Sequence, residues 1–371
     1  MTKYTIQNIF HKYGAEYIKN NNLSADQWKA YNAIMKCKTG ELGHHRIICN
    51  DCNDTKTGLN SCRNRHCPMC QFYAKEKWIE KQNSYLLNAP YFHIVTTIPH
   101  ELNELTMYNK KVIYNILFKA TSEAILELGE DPKWLGAKLG VTSILHTWGG
   151  TMNFHPHIHS IVTGGGLKNN KWVQGNKNYL FKIEVLSALF KGKFLAYLKA
   201  AKLVLPEHLK HLKDYKRLND FLRPLYHKDW VSFIQAPKGN PENVVNYIGR
   251  YAFRIAISNE RIKDIEGGNI TFEYKDTKDD NKIKSMTISA SEFIRRFLMH
   301  VLPKNFTKKK HYGLLANRNK KTLINKCRVL LRELGFNDFV SSFKKVISDF
   351  RCSVCCGATF SYIYDYRRRP T

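Results

Sequence analysis

A chain of 371 residues exceeds one average hydrophobic core, so two or three domains are expected, and a hydrophobic fraction of 43% suffices to pack them. Lys and Arg number 59 against 31 acidic residues, a formal charge of +28, which points to a polyanionic partner whose phosphates release counterions on binding. No apolar run approaches the roughly 20 residues of a membrane span, and Met1-Thr2-Lys3-Tyr4 opens no signal-peptide apolar region, so no membrane contact and a cytoplasmic location are expected.

Residues 5–35 carry helical spacing, with Ile6, Ile9, Phe10 and Tyr13 on one face, and Ser24 three positions before Gln27 suits a capping box. From Cys37 to Cys70 the chain turns polar and rich in Cys, Gly and Asn. Residues 71–88 read as a helix stopped near Pro90, Tyr91–Ile98 as a strand, and 101–128 as a long helical stretch ended around Gly129 and Pro132. Val141–Trp148 and His157–Thr163 suit an antiparallel pair, the second strand ended by Gly164-Gly165-Gly166. Residues 183–204 are helical and Trp230–Gln235 is a short strand. After a turn at Pro237-Lys238-Gly239, a helix opens near Pro241. Residues 269–288 alternate as a hairpin turning at Lys278-Asp279-Asp280-Asn281. Ser291–Val301 is helical and stopped by Pro303, and the basic tail beyond about 304 reads as mostly helical.

Ten cysteines in a reducing compartment point to metal rather than disulfides. Cys49-x2-Cys52 and Cys67-x2-Cys70 are two knuckles at a spacing that suits one four-thiolate zinc site. Cys37, Cys62, His66 and His45 could hold a second zinc, so one or two structural Zn²⁺ are expected. Cys352-x2-Cys355 with Cys356 looks like half a site.

Successive strand residues face opposite ways, so His157 and His159 share a face while Ile158 turns into the core behind them. Two neutral imidazoles on a rigid face suit a divalent metal. His146, on the preceding strand and able to lie opposite His157 or His159, is the favoured third ligand, with His155 as its competitor. The nitrogen-rich set allows Mn²⁺, Mg²⁺, Zn²⁺ or Ni²⁺. In Tyr247-Ile248-Gly249-Arg250-Tyr251 the two phenols stand four apart on one helix face, beside a basic stripe of Arg250 and Arg254 suited to phosphate.

These residues resemble the tandem-tyrosine HUH transposases of bacterial rolling-circle insertion sequences, the insertion-sequence-ninety-one type. His157-Ile158-His159 fits the histidine–hydrophobic–histidine signature, and Leu145-His146-Thr147-Trp148-Gly149 and His155-Pro156-His157 resemble its surroundings. Tyr247 to Tyr251, followed by Arg254 and Ala256-Ile257-Ser258-Asn259, matches the tyrosine motif. Upstream, residues 61–71 resemble the N-terminal zinc-binding segment, and downstream residues 292–298 and 311–318 look like further family blocks.

The resemblance implies an α+β fold in three parts. Residues 1–90 would form a helical, zinc-binding module. Residues 91–265 would form a five-stranded antiparallel HUH sheet with flanking helices and the tyrosine helix, and 266–371 a basic, mostly helical region. It implies Mg²⁺ or Mn²⁺ at His157, His159 and His146, nucleophiles at Tyr247 and Tyr251, and cleavage and rejoining of single-stranded DNA at the element's ends, hairpins among them, and of target DNA. The basic residues taken as DNA contacts are Arg250, Arg254, Arg295, Arg296, Lys308, Lys309, Lys310 and Arg318. A bacterial, nucleoid-associated location follows from the same likeness. Two other functions remain open on the residues alone: a metal-dependent nuclease that hydrolyses single strands with activated water, and a non-catalytic zinc-containing DNA-binding regulator.

Overall fold

The computed structural model describes residues 3–236, 243, 245–246, 249, 252–253, 255–276, 279–338, 352–357 and 359–364. The chain opens with α1 (Ile6–Asn20) and α2 (Ala25–Lys36). Each starts on a capping box: Thr5 and Asn8 exchange hydrogen bonds at α1, and Ser24 and Gln27 do so at α2. The cysteine-rich stretch then forms a hairpin, β1 (His44–Cys49) and β2 (Thr55–Leu59), before α3 (Pro68–Asn83).

The largest sheet follows. Its strands are β3 (Tyr91–Thr97), β4 (Lys138–Trp148), β5 (Phe154–Lys168), β6 (Lys171–Gln174), β7 (Ser232–Gln235) and β11 (Lys309–Gly313). Their spatial order is β11-β4-β5-β3-β7, all antiparallel, with β6 paired to the far end of β5. One face is covered by α5 (Lys110–Glu130), α6 (Ile183–Lys199) and α7 (Tyr215–His227), through Ile113, Leu117, Phe118, Phe190, Phe194 and Leu222 against Phe92, Ile94, Leu145, Ile158 and Val162. The other face carries Ile144 and Ile161, and against them pack Ile79 of α3 with Val245 and Ala252.

A separate antiparallel sheet, β8 (Ile262–Glu266), β9 (Asn269–Asp276) and β10 (Lys282–Ser289), runs into α8 (Ala290–Met299). Phe272, Phe293, Ile294 and Phe297 from this unit share one core with Ile6, Ile9, Phe10 and Ile34 of the first two helices. The two ends of that core meet where Phe10 stacks on Tyr31 and sits edge-on to Phe297. Helix α9 (Lys320–Glu333) follows, and β12 (Phe360–Tyr364) returns to pair with β1.

The fold departs from the sequence reading at several places. The long stretch at 101–128 is broken at Asn109 between α4 (Asn103–Tyr108) and α5, because the Asn109 amide is spent on the carbonyls of Leu105 and Val204 and accepts from Val204 N–H. Gly164–Gly166 does not end β5. The strand runs on to Lys168, and the glycines make room for neighbours, since a Cβ on Gly165 would lie 2.5 Å from the Trp172 ring of β6. Lys309–Gly313 is an edge strand on β4 rather than part of a helical tail. Strands β1 and β2 sit in a stretch too polar for a buried-strand pattern, and α7 lies where no helix was read. The turn residues Pro237-Lys238-Gly239 and Lys278 lie outside the described residues. Among the described residues, no helix is long and apolar enough to cross a membrane.

Phe297 is fully buried between α1 and the β9–α8 unit. Phe297→Ala is expected to cost about 3–5 kcal/mol in urea unfolding. A loss below about 1 kcal/mol would show that this shared core does not hold.

Candidate functional site

The register of β4 and β5 builds the site. His146 pairs directly with His157, and Ile144 with His159. Directly opposed residues share a face, so all three imidazoles converge on the side away from α5, while Ile158 is fully buried on the α5 side. One nitrogen from each of His146, His157 and His159 lies within 4.8 Å of the other two. His157 Nδ1 donates to the His155 carbonyl at 2.7 Å, which leaves a lone pair on Nε2. That Nε2 lies 3.0 Å from His159 Nε2. On the far side of the His159 ring, Nδ1 meets His93 Nε2 at 2.8 Å, and the His93 and His159 rings stack at 5.1 Å.

Burial disfavours the charged form of His93, His157 and His159. His157 is pushed down to about 3 by desolvation, with His155 adding repulsion, and His93 to about 4 by desolvation. His159 falls well below its ordinary value for the same reason. Neutral imidazoles whose Nε2 atoms lie 3.0 Å apart can exchange a hydrogen bond or turn lone pairs to a shared cation, according to the tautomer of His159. Metal–nitrogen bonds of about 2.0–2.2 Å fit that spacing, so the residues suit a divalent ion. His155 contributes its carbonyl to this arrangement and does not join the three-nitrogen group. His93 was not among the sequence candidates; a single His in the apolar run Tyr91–Ile98 gives no signal until the strand pairing is known.

Tyr247, Tyr251, Arg250 and Arg254 lie outside the described residues. Their described neighbours do pack on the histidine face: Val245 and Ala252 are buried against Ile144 and Ile161. Ile144 is the β4 partner of His159, and Ile161 stands two residues beyond it on β5. Beside them a cleft of about 220 Å³ is lined by Ala252, Phe253, Trp148, Lys308 and Lys309 among others.

The three lysines part company here. Lys309 pairs with Ile144 across β11 and β4, which places it on the histidine face, where its ammonium lies 3.4 Å from the centre of the Phe253 ring and 5.3 Å from that of Trp78. Burial pushes Lys309 down to about 7, and burial together with repulsion from Lys309 and Arg65 holds Lys308, over the Trp148 ring, well below its ordinary value. Lys310 faces α5 instead, donating to Asn115 Oδ1 at 2.8 Å. Arg295 and Arg296 are both paired with Glu292, and Arg296 also donates to the Thr151 carbonyl. Arg318 is exposed.

The cysteines regroup. The expected set of Cys49, Cys52, Cys67 and Cys70 does not come together. Cys67 and Cys70, at the start of α3, meet Cys37 at the end of α2 and Cys62, with Cys70 Sγ 3.6 Å from both Cys37 Sγ and Cys62 Sγ. Cys49 and Cys52, at the tip of the β1–β2 hairpin, meet Cys352 and Cys355. The hairpin is the physical reason, since its two strands carry one knuckle away from the other. The expected histidines are otherwise engaged: His66 Nε2 accepts from Leu302 N–H at 3.1 Å, and His45 Nδ1 lies 2.9 Å from Asn60 Oδ1. Tetrahedral zinc with thiolates at about 2.3 Å fits sulfur separations of this size. The sequence did hold a signal. Three CxxC pairs are an odd number of half-sites, so one pair had to complete its set from the isolated Cys37 and Cys62.

An antiparallel α+β fold with thiolate clusters suited to zinc, a group of three imidazoles that could hold an ion, and a cleft lined by lysines has features in keeping with a DNA-processing enzyme. Comparison with known proteins agrees. Residues 140–322 match a family described as "Putative transposase", and residues 9–98 match a "Transposase zinc-binding domain". The "Putative transposase y4qJ" of Sinorhizobium fredii (strain NBRC 101917 / NGR234) is 39% identical over 333 residues, covering 88% of this chain and 84% of that protein. The "Transposase for insertion sequence element IS801" of Pseudomonas savastanoi pv. phaseolicola is 28% identical over 377 residues, covering 96% of this chain and 88% of that protein. No solved structure matches the chain with significance. The chain belongs to the transposases of the IS91/IS801 family, enzymes whose substrates are DNA.

Lys309 yields a prediction about stability and pH. The unfolded side chain holds its proton to about 10.5 and the folded one only to about 7, so folding releases a proton between those values. The unfolded state therefore binds more protons there, and wild-type stability rises with pH across the window. Lys309→Met should be more stable than wild type below about pH 7, by on the order of 1 kcal/mol, with the gap closing toward pH 10. Denaturant unfolding at pH 6 and pH 9.5 reads this directly, and a variant less stable at pH 6 would refute it.

Proposed function

We propose that this transposase is an HUH-type enzyme that cleaves and rejoins single-stranded DNA at insertion-sequence ends, through tyrosine–DNA intermediates, by rolling-circle transposition. The path β11-β4-β5-β3-β7 serves as its five-stranded HUH sheet. The observation that carries the reading is the packing of Val245 and Ala252, which bracket Tyr247 and Tyr251, onto Ile144 and Ile161 beside His159.

In this reading His146, His157 and His159 hold the divalent ion, Mg²⁺ or Mn²⁺, which when bound withdraws charge from a non-bridging phosphate oxygen. The three-nitrogen set favours Mn²⁺, since Mg²⁺ prefers oxygen ligands. His93 fixes the His159 ring, and the His155 carbonyl fixes that of His157, so both present Nε2. Lys309 and Lys308, held over aromatic rings, line the cleft where the phosphate would enter. A tyrosine phenol loses its proton and its oxygen attacks phosphorus in line. The bond to the 3′ oxygen breaks, that oxygen gains a proton, and the 5′ phosphate stays on the enzyme as a phosphotyrosine. The link retains the phosphodiester's energy, so a 3′-OH can reverse the step. A second phenol four residues away allows a second strand to be taken up while the first remains attached. Such attack needs an unpaired strand, whose bases can stack on exposed aromatics, with hairpins marking the ends. A thiolate cluster at Cys37, Cys62, Cys67 and Cys70 holds structural zinc at the base of α3.

Incubation with single-stranded end DNA and Mn²⁺, followed by denaturation, should give a covalent adduct. Tyr247→Phe with Tyr251→Phe should remove the adduct while binding persists. His157→Ala should lower adduct yield at least about 100-fold. Free fragments without adduct in the wild type would replace this reading with metal-assisted hydrolysis, and uncut DNA would leave a binding protein. His93→Ala should weaken Mn²⁺ affinity about 10–100-fold without unfolding the sheet, and unchanged affinity would remove His93 from its positioning role.

A further inference from the structure

The matched zinc-binding domain covers Cys37, Cys49, Cys52, Cys62, Cys67 and Cys70 and stops at residue 98. That leaves Cys49 and Cys52 with only two thiolates of a tetrahedral set. The other two come from 300 residues away. Cys49 Sγ lies 3.5 Å from Cys355 Sγ, and Cys52 Sγ lies 3.6 Å from Cys352 Sγ. The four sulfurs lie within 4.8 Å of one another. We propose that Cys49, Cys52, Cys352 and Cys355 hold a second structural zinc that fastens the C-terminal knuckle to the tip of the N-terminal hairpin.

The two knuckles have matching backbones. Asn53 N–H donates to the Cys49 carbonyl, and Cys356 N–H to the Cys352 carbonyl. The residue after each second cysteine takes a left-handed conformation, Asn53 at φ 60° and Cys356 at φ 60°. Cys356 is therefore the turn residue of its knuckle, the counterpart of Asn53. The amides of Val354 and Gly357 point at Cys352 Sγ and Cys355 Sγ at 3.5 and 3.4 Å, donor contacts that favour thiolate over thiol.

The surroundings are built to receive the tail. β12 pairs with β1 from His45–Tyr364 to Cys49–Phe360. Asn50 N–H donates to the Thr359 carbonyl, Ser361 Oγ to Asn50 Oδ1, and Lys56 Nζ to Ser353 Oγ. Gly357 sits where a Cβ would collide with the Asp51 carboxylate, so the knuckle seats against the hairpin turn as closely as backbone allows. Strand pairing alone is weak at this polar, exposed edge. A tetrathiolate ion closing a loop of 300 residues would supply most of the attachment. Arg367-Arg368-Arg369 follows directly in sequence, so the clamp would tie a polyphosphate-seeking stretch to the zinc-binding module.

The test uses the full chain loaded with zinc. Cys355 and Cys356 are both exposed, so without metal an alkylating reagent should modify both quickly. With zinc bound, mass mapping should show Cys356 labelled at once and Cys355 protected, along with Cys49, Cys52 and Cys352. A chelator should release those four together. Equal labelling of Cys355 and Cys356 in the zinc-loaded chain would overturn the proposal. Bound zinc per chain should fall by one equivalent in Cys352→Ser/Cys355→Ser, by one in Cys49→Ser/Cys52→Ser, and by one, not two, when the four substitutions are combined. Cys356→Ser should lose none. A loss of two in the combined variant, or a loss in Cys356→Ser, would refute the shared four-cysteine set.

Discussion

The register between β4 and β5 is the constraint on which the rest depends. It pairs His146 with His157 and sets His159 beside Ile144. Nothing about imidazole chemistry enforces this alignment. The alternate residues Val141, Leu145, Ile158 and Val162 enforce it by burying themselves against α5 and α6. Each is worth roughly 1.5–3 kcal/mol in burial, and a slip of one residue would turn the whole set outward. Gathering three largely buried imidazoles at one spot has a desolvation cost of its own. The apolar face of the same strands supplies the free energy that holds them there, so the sheet is folded by one face and used through the other.

Charge shows a similar division. Much of the +28 is ordinary solvated surface, and some of it is structural, as where Arg295 and Arg296 share Glu292 and tie α8 to the loop at Thr151. The cleft beside the histidines differs. Lys308 and Lys309 are held among aromatic rings, and burial drives each toward neutrality. A phosphate entering there would meet amines already stripped of water, and its charge would favour their protonated, cationic forms. Binding energy would then be concentrated at one place on the nucleic acid rather than spread along its backbone.

Much of the site could be read from local pattern. Alternation gave the shared face of His157 and His159, the spacing of Ser24 and Gln27 gave the capping box of α2, and a β-rich run gave the strand that begins at Tyr91. What escaped depended on pairing between distant segments. His93 becomes part of the site only because β3 lies against β5, and Lys309 only because an edge strand is added after residue 300. The cysteine sets were misassigned for the same reason: two knuckles 14 residues apart look like partners until a hairpin points one of them elsewhere. The lysine run at 308–310 read as a uniform basic patch, whereas strand geometry sends Lys309 and Lys310 to opposite faces. Local chemistry is legible in one dimension, but which half-sites combine is decided by topology.

The glycine between the two tyrosines shows how these parts connect. A Cβ on Gly249 would lie 2.5 Å from the Ile79 side chain and 3.7 Å from the Trp78 ring, so the backbone of the tyrosine segment comes as close to α3 as an α-carbon permits. Helix α3 begins at Cys67, and its first turn contains Cys70, so both ligands it lends to the first thiolate cluster lie at its start. The same helix thus has one end held by that cluster and the other pressed against the segment that carries Tyr247 and Tyr251. Ile79 also joins Ile144 and Ile161, which flank His159. Rigid secondary structure of this kind passes position along its length: moving the cysteine end would shift Ile79, and Ile79 contacts both the histidine face and Gly249. A thiolate cluster at the start of α3 therefore bears, through Ile79, on both the histidine face and the backbone at Gly249, where only a residue without a Cβ fits against Ile79.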